Sequence, residues 1–202
     1  MIYDVLIIGG GAAGMSCALV LGSAKNKPFA RDKSIGIILH QKASALQTGM
    51  FNNVLGLDPG TTGPEILSSG KLQLTAMYPH VDQIEKEKVI SVTKKEDCIH
   101  VTTNKRSYQT RTVVVAVGPS NLFNIEGLMQ YVKPHQKLPP QKERIQLKNH
   151  DHIVTDHIYV AGVLAGHRSQ FAIACGSGAS VATDILTIWN NGNHTMVHDK
   201  IE

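Results

Sequence analysis

Four short runs of apolar residues predict the buried strands of a parallel sheet: residues 3–8, 34–39, 112–117 and 158–160. The runs are continuously apolar and do not alternate with polar positions, which is typical of strands covered on both faces. Between the first two runs, residues 12–22 are rich in small residues and predict a helix. The start of the chain therefore predicts a strand–helix–strand unit with a right-handed crossover.

The rest of the pattern predicts smaller elements around this sheet. Alternating segments from Val89 to residue 110 predict a small antiparallel β-meander. Helices are predicted over 63–77, with Pro64 in the first turn, and over 176–189. Residues 47–62 predict a loop. Residues 119–146, with low hydrophobic periodicity and four prolines, predict a linker, and residues 191–202 a loose tail.

Composition narrows the class of protein. The chain has 202 residues and a net charge of +4, and its basic residues are scattered, so we expect no nucleic-acid partner. Three cysteines without a CxxC pair indicate reduced thiols and a cytoplasmic setting. No apolar run long enough for a membrane span is apparent, and no metal-ligand spacing occurs, so we expect neither a membrane nor a metal partner.

The turn after the first predicted strand is the first candidate for ligand binding. Its sequence, Gly9-Gly10-Gly11-Ala12-Ala13-Gly14, matches the GxGxxG motif. Gly9 permits the tight turn, Gly11 lets a pyrophosphate approach the backbone, and Gly14 lets the helix pack closely on the sheet. Ala12 and Ala13 would offer free N–H groups at the positive end of the helix. The pattern predicts a dinucleotide site; the alternative is a merely tight strand–helix turn.

The second strand ends in His40-Gln41, where a dinucleotide site usually holds an acid that binds the adenosine ribose. Both side chains form hydrogen bonds, but neither supplies the charge-assisted contact of a carboxylate. The alternative for His40 is a histidine at a strand end without a role in binding.

The order of four landmarks resembles the FAD-binding domain of the thioredoxin-reductase-like flavoproteins. These are GGGAAG, NVLGLDPGTTGPEIL, VVVAVG and TDHIYVAG followed by SQFAIACGSGASVATDIL. The resemblance implies an α/β, Rossmann-like fold with FAD as cofactor and a single domain over 1–202. Its first half would be 1–118 and its second half 147–190. The cofactor-binding residues it implies are Gly9, Gly11, Ala12, Ala13, Gly14, His40, Gln41, Asn53, Val89, Ala116, Gly118, Gly162, Val163, Gln170, Phe171 and Ala172.

Four departures from the family pattern bear on function. Val163 takes the place of the aspartate that holds the ribityl chain, and His40 the place of the ribose-binding acid. The interval from Gly118 to Gly162 spans only 44 residues and contains too few predicted strands for the inserted NADPH domain. Residues 119–146 would therefore replace that domain. There is no CxxC, which leaves Cys175, ahead of the predicted last helix, as a weak candidate for redox chemistry.

Three functions therefore stay open. The first is a minimal FAD-dependent oxidoreductase that takes electrons from a separate protein or from diffusing NAD(P)H. The second is a non-catalytic flavin- or nucleotide-binding redox sensor or partner module. The third is a domain for another adenine nucleotide or for none. Exposure of an apolar flavin-side face predicts a homodimer.

Overall fold

The computed structural model describes residues 2–41 and 44–198. Three helices are present in these ranges: α1 (Ala12–Ser23), α2 (Gly63–Met77) and α3 (Phe171–Trp189). The strands are β1 (Ile2–Ile8), β2 (Ile35–Leu39), β3 (Met50–Phe51), β4 (Thr61–Thr62), β5 (Val81–Glu85), β6 (Val89–Lys94), β7 (Ile99–Thr103), β8 (Ser107–Val115), β9 (Val132–Pro134), β10 (Ile145–Leu147), β11 (Ile153–Thr155) and β12 (Ile158–Val160).

The central sheet has the order β11-β12-β8-β1-β2-β5, and β12, β8, β1, β2 and β5 run parallel. The first strand shows why both faces are covered. Val5 and Ile7 belong to one core cluster, with α1 and α3, while Leu6 and Ile8 belong to a second cluster on the other face. Side chains alternate across a strand, so a continuously apolar run buries residues in both layers. The α/β fold with a mostly parallel sheet is confirmed.

The meander is also confirmed, although its last strand is longer than the pattern predicts. β6, β7 and β8 pair antiparallel in sequence order. β8 is one continuous strand whose start, near Tyr108, pairs with β7 and whose end, near Val114, pairs with β12. The predicted segment 106–110 and the predicted strand 112–117 are therefore one element that joins the meander to the central sheet.

The prediction of a linker over 119–146 is wrong. β9 and β10 pair antiparallel inside this region, and Phe123, Ile125 and Leu128 are buried in the second core cluster. These three apolar residues fall within six positions of a segment that is otherwise rich in proline, lysine and glutamine, so the segment as a whole shows no periodicity. Residues 118–162 contain only short strands and 3-10 turns, without an α-helix.

Three smaller predictions also need correction. The sequence pattern did not predict β5. The predicted loop 47–62 overlaps a 3-10 turn, Ala45–Thr48, and contains the β3–β4 ribbon. The tail is not loose throughout, since Thr195 is buried and its hydroxyl hydrogen-bonds that of Thr187 at 3.0 Å. Residues 199–202 of the predicted tail lie outside the described residues.

By length and composition, α3 is long and apolar enough to cross a membrane, which the sequence prediction overlooked. Within this fold its residues Val181, Ala182, Ile185 and Leu186 are buried in the core cluster that α1 shares. Burial on this scale accounts for the apolar composition of a helix in a globular domain.

Candidate functional site

A cleft of about 590 Å³ opens where the parallel strands end. The residues that follow β1, β2, β8 and β12 in the chain all line it. Ligands of open α/β sheets bind in the crevice outside the carboxyl ends of the strands. The cleft also lies within the size range of small-molecule and cofactor sites.

The glycine-rich turn forms one wall of this cleft, and its glycines are needed for different structural reasons. Gly9 has φ +113°, and a Cβ there would lie 2.6 Å from the carbonyl oxygen of Ala116. A Cβ at Gly14 would overlap the carbonyl oxygen of Gly9. At Gly11 the nearest neighbour of a Cβ would be Ser44 Oγ, at 3.7 Å. Gly9 and Gly14 are therefore required by packing, whereas Gly11 leaves room at the cleft.

The start of α1 is uncapped and lines the cleft. Its N-cap, Gly11, has no side-chain cap, and the first turn contains no acidic residue. The N–H groups at Ala12 and Ala13 carry the positive end of the helix dipole and lie on the cleft wall. An uncapped helix start of this kind suits an anionic ligand group.

At the end of β2 the two predicted ribose residues behave differently. His40 is exposed and lines the cleft. Gln41 turns back, and its Nε2 donates to the carbonyl oxygen of Gly10 at 2.8 Å. Gln41 therefore braces the glycine-rich turn, whereas His40 is exposed at the cleft.

Sequence reasoning missed Glu87, a buried carboxylate at the same end of the cleft. Glu87 is only 1% exposed and accepts hydrogen bonds from Thr103 (2.7 Å), Tyr108 (2.9 Å) and Arg106 Nε (3.0 Å). Burial raises the pKa of Glu87, but these donors outweigh it and hold the pKa below its ordinary value. Glu87 lies in the charged run Glu85-Lys86-Glu87-Lys88, which gives no signal for this cluster before its partners are placed.

Beside this cluster, Lys88 and Val89 also line the cleft. The Lys88 N–H donates to Asn104 Oδ1 at 2.8 Å, and Asn104 N–H donates to the Lys88 carbonyl oxygen at 2.9 Å. The backbone on which Lys88 is carried is therefore fixed on both sides. Its side chain is exposed at the cleft.

The opposite end of the cleft is built by the turn after β12. Gly162, with φ +77°, donates its N–H to Ser177 Oγ at 2.8 Å. The carbonyl oxygen of Val163 lies 3.0 Å from His135 Nε2. His135 Nδ1 accepts from the N–H of Lys137, so Nε2 carries the proton and donates to Val163. The segment predicted as a linker thus holds this turn in place.

An aromatic pair closes the same end. The rings of Phe51 and Phe171 lie 5.1 Å apart and both line the cleft. Phe171 was predicted, whereas Phe51 was missed because it falls in the predicted loop 47–62.

The structure brings twelve of the predicted residues to the cleft: Gly9, Gly11, Ala12, Ala13, His40, Val89, Ala116, Gly118, Gly162, Val163, Gln170 and Phe171.

Four predicted cofactor-binding residues do not line the cleft. Gly14 packs beneath the turn and Gln41 braces it. Asn53 and Ala172 are exposed and are not among the residues that line the cleft. The cleft instead uses Pro119, Leu122, Phe123 and Ile125 from the predicted linker, among other residues.

Cys175 does not support a redox role. Its side chain lines a second groove between α1 and α2, and burial raises the pKa of its thiol to about 11. Cys17 is fully buried, and burial raises the pKa of its thiol well above the ordinary value. The reactive form of cysteine is the thiolate, which both environments disfavour.

Comparison with known proteins gives one family match and a consistent set of relatives. Residues 3–181 match the model of the pyridine nucleotide-disulphide oxidoreductases. An uncharacterized oxidoreductase, CzcO, of Bacillus velezensis is 27% identical over 79% of this chain and 48% of its own length. A thioredoxin reductase of Treponema pallidum is 29% identical over 57% of this chain and 35% of its own length. The chain therefore spans about half the length of the first of these relatives.

Solved structures agree on the fold. An oxidoreductase from Agrobacterium tumefaciens superposes with a TM-score of 0.72 at 14% identity, covering 93% of this chain and 99% of that one. A thioredoxin reductase from Gloeobacter violaceus gives 0.70 at 13% identity, covering 99% and 98%. With a family match over most of its length and this architecture, the chain belongs to the pyridine nucleotide-disulphide oxidoreductase family.

Proposed function

We propose that this chain is an FAD-binding flavoprotein, a minimal oxidoreductase without an NADPH domain or a redox dithiol of its own. One observation carries the proposal: the uncapped start of α1 lines a cleft to which residues of both the first half, 1–118, and the second half, 147–190, contribute. A thioredoxin reductase among the relatives supports the class of chemistry. The short interval between Gly118 and Gly162 supports the lack of a second nucleotide domain.

The residues present fit an extended dinucleotide. The N–H groups at Gly11, Ala12 and Ala13 would hold the pyrophosphate, and Val89 would border the adenine. The aromatic pair Phe51 and Phe171 gives an apolar wall for a flavin ring. When bound, FAD supplies hydride or electron transfer.

Val163 sets a limit on how the flavin end is held. Its side chain offers no acceptor, and its carbonyl oxygen already accepts one hydrogen bond from His135. A ribityl hydroxyl left without a partner there would cost about 1–3 kcal/mol. The chain would therefore hold this end of FAD chiefly by apolar contact and by excluding water from the ring.

The proposal includes the source of electrons and the partner proteins. Without a nicotinamide domain, electrons would come from a separate donor protein or from diffusing NAD(P)H at the open side of the cleft. Leu122 is 86% exposed at the cleft and Leu55 is fully exposed, which supports a homodimer or a docked partner. We place the protein in the cytoplasm on the basis of its three unpaired cysteines.

The absorbance spectrum of the purified protein tests the proposal. We expect a yellow protein that retains FAD, and Gly11→Asp should lose it. Aspartate is a good N-cap and has space at this position, so the variant should fold while its carboxylate repels the phosphates. Gly176→Asp adds the same charge at an open site on α3 outside the cleft, and should keep FAD. A colourless wild type that FAD does not load would refute the proposal.

A non-catalytic redox sensor is the second candidate. It is favoured by the short interval between Gly118 and Gly162 and by the lack of a CxxC pair in the sequence, which leave no electron donor domain or dithiol to run the reaction. Mixing the FAD-loaded protein with NADH or NADPH separates the two functions. Rapid bleaching of the flavin followed by turnover with an acceptor supports the enzyme, and no reduction supports the sensor.

A further inference from the structure

The adenosine end of the cleft carries cationic and neutral groups and lacks a free carboxylate among the described residues. His40 and Lys88 are both exposed and both line the cleft. The acid beside them, Glu87, is 1% exposed and paired with Arg106 at 3.0 Å. The negative charge that usually selects an unmodified ribose is therefore absent from this surface.

Lys88 is held in place by the surrounding backbone. Its N–H and carbonyl oxygen both pair with Asn104. The preceding Glu87 is fixed by three side-chain donors, and the following Val89 pairs with Thr103 in the β6–β7 ladder. A cation carried on such a rigid segment loses less freedom on binding an anion than one on a mobile loop.

His40 approaches the same end from the neighbouring strand. It directly follows the last residue of β2, and Gln41 after it is tied to the glycine-rich turn at 2.8 Å. In α/β dinucleotide sites an acid at this strand end binds the 2′-hydroxyl of the ribose, whereas a nearby cation accommodates a 2′-phosphate. In this chain His40 stands in place of the acid, and the cation of Lys88 lines the same cleft.

We infer that the adenosine end of the cleft binds a ribose that carries a 2′-phosphate, so that NADP(H) occupies the cleft in competition with FAD. The inference rests on the proposed function in one respect, that the cleft is an adenine dinucleotide site. It goes further in assigning a ligand class, the 2′-phosphorylated adenosines, and two residues that select it, His40 and Lys88.

Calorimetric titration with 2′,5′-ADP and 5′-ADP tests the assignment without any flavin. We expect 2′,5′-ADP to bind about fivefold more tightly, the size of one exposed ion pair, and the difference to shrink as salt is added. NADPH should also displace FAD at lower concentration than NADH, measured by the recovery of free-flavin fluorescence.

Two variants and one control assign the selectivity to residues. Lys88→Gln should abolish the preference for 2′,5′-ADP. His40→Glu, which restores an acid at the strand end, should reverse it in favour of 5′-ADP. Lys86→Gln removes the same charge two residues away, at an exposed position outside the cleft lining, and should keep the preference. Both cleft positions are exposed, and circular dichroism checks that all three variants fold.

The outcomes separate the two claims. Equal binding of the two nucleotides, or a preference that survives Lys88→Gln and His40→Glu, overturns the 2′-phosphate assignment and leaves FAD binding intact. Failure of both nucleotides and of FAD to bind overturns the assignment together with the proposed function.

Discussion

At the scale of single residues, the glycine-rich turn separates packing from binding. Gly9 and Gly14 meet backbone atoms where any side chain would lie, while Gly11 meets only a serine hydroxyl at 3.7 Å. The same motif therefore contains positions that protect the fold and one that faces the ligand. Substitutions at these glycines should affect stability and binding to different extents.

Gly14→Ala should destabilise the protein by about 1–3 kcal/mol, because the added methyl group overlaps the carbonyl oxygen of Gly9. Gly176→Ala is the matched control, since a Cβ there meets nothing within 4 Å and alanine favours the helix by about 0.5–1 kcal/mol. Urea unfolding measures both. Equal and small effects would contradict the close contact between α1 and β1.

Glu87→Gln should cost about 2 kcal/mol at neutral pH, because the hydrogen bonds from Arg106, Thr103 and Tyr108 lose their charged acceptor. The control is Glu85→Gln, whose exposed pair with Lys71 contributes below about 1 kcal/mol.

The pH dependence follows from the direction of the pKa shift. The folded-state pKa of Glu87 lies below its ordinary value, so its contribution is complete above the ordinary glutamate pKa of about 4.3. The contribution is lost as the pH falls through the folded-state value. The difference between wild type and Glu87→Gln in unfolding free energy should therefore shrink at acidic pH. A difference that stays constant would show that the carboxylate charge does not matter.

At the scale of elements, residues 119–146 act as a structural layer and also as part of the cleft. Leu128 is fully buried in this segment, while Leu122 is 86% exposed. Leu128→Ala should destabilise the protein by about 2–5 kcal/mol, and Leu122→Ala by less than about 0.5 kcal/mol. Thermal or urea unfolding distinguishes the two. A flexible linker would give equally small effects at both positions.

At the scale of the whole molecule, the cleft joins segments that are far apart in the chain, from Gly9 to Phe171. A ligand that binds only when these segments are assembled should stabilise the entire domain by mass action. FAD at about 100 times its dissociation constant should raise the unfolding free energy by about 2.7 kcal/mol. The rise of the melting temperature with FAD concentration measures it, with riboflavin, which lacks the pyrophosphate, as control. Stabilisation by riboflavin equal to that by FAD would contradict the role assigned to the start of α1.

Much of this molecule is determined locally and is readable from the sequence alone. The continuously apolar strands, the GxGxxG turn and the limits of α2, 63–77, follow from burial, glycine conformation and helix capping, which act within a few residues. The Thr62–Glu65 capping box, for example, lies within four positions of the chain.

What only the tertiary structure decided depends on contacts between distant segments. The donors of Glu87 come from residues 103–108, the partner of Val163 is His135, and Gln41 faces Gly10. The burial of Phe123, Ile125 and Leu128 likewise depends on a core formed elsewhere in the chain. A side chain's partners and its burial are properties of the assembled sheet, so no pattern within a short window specifies which predicted residue faces the ligand and which supports the turn.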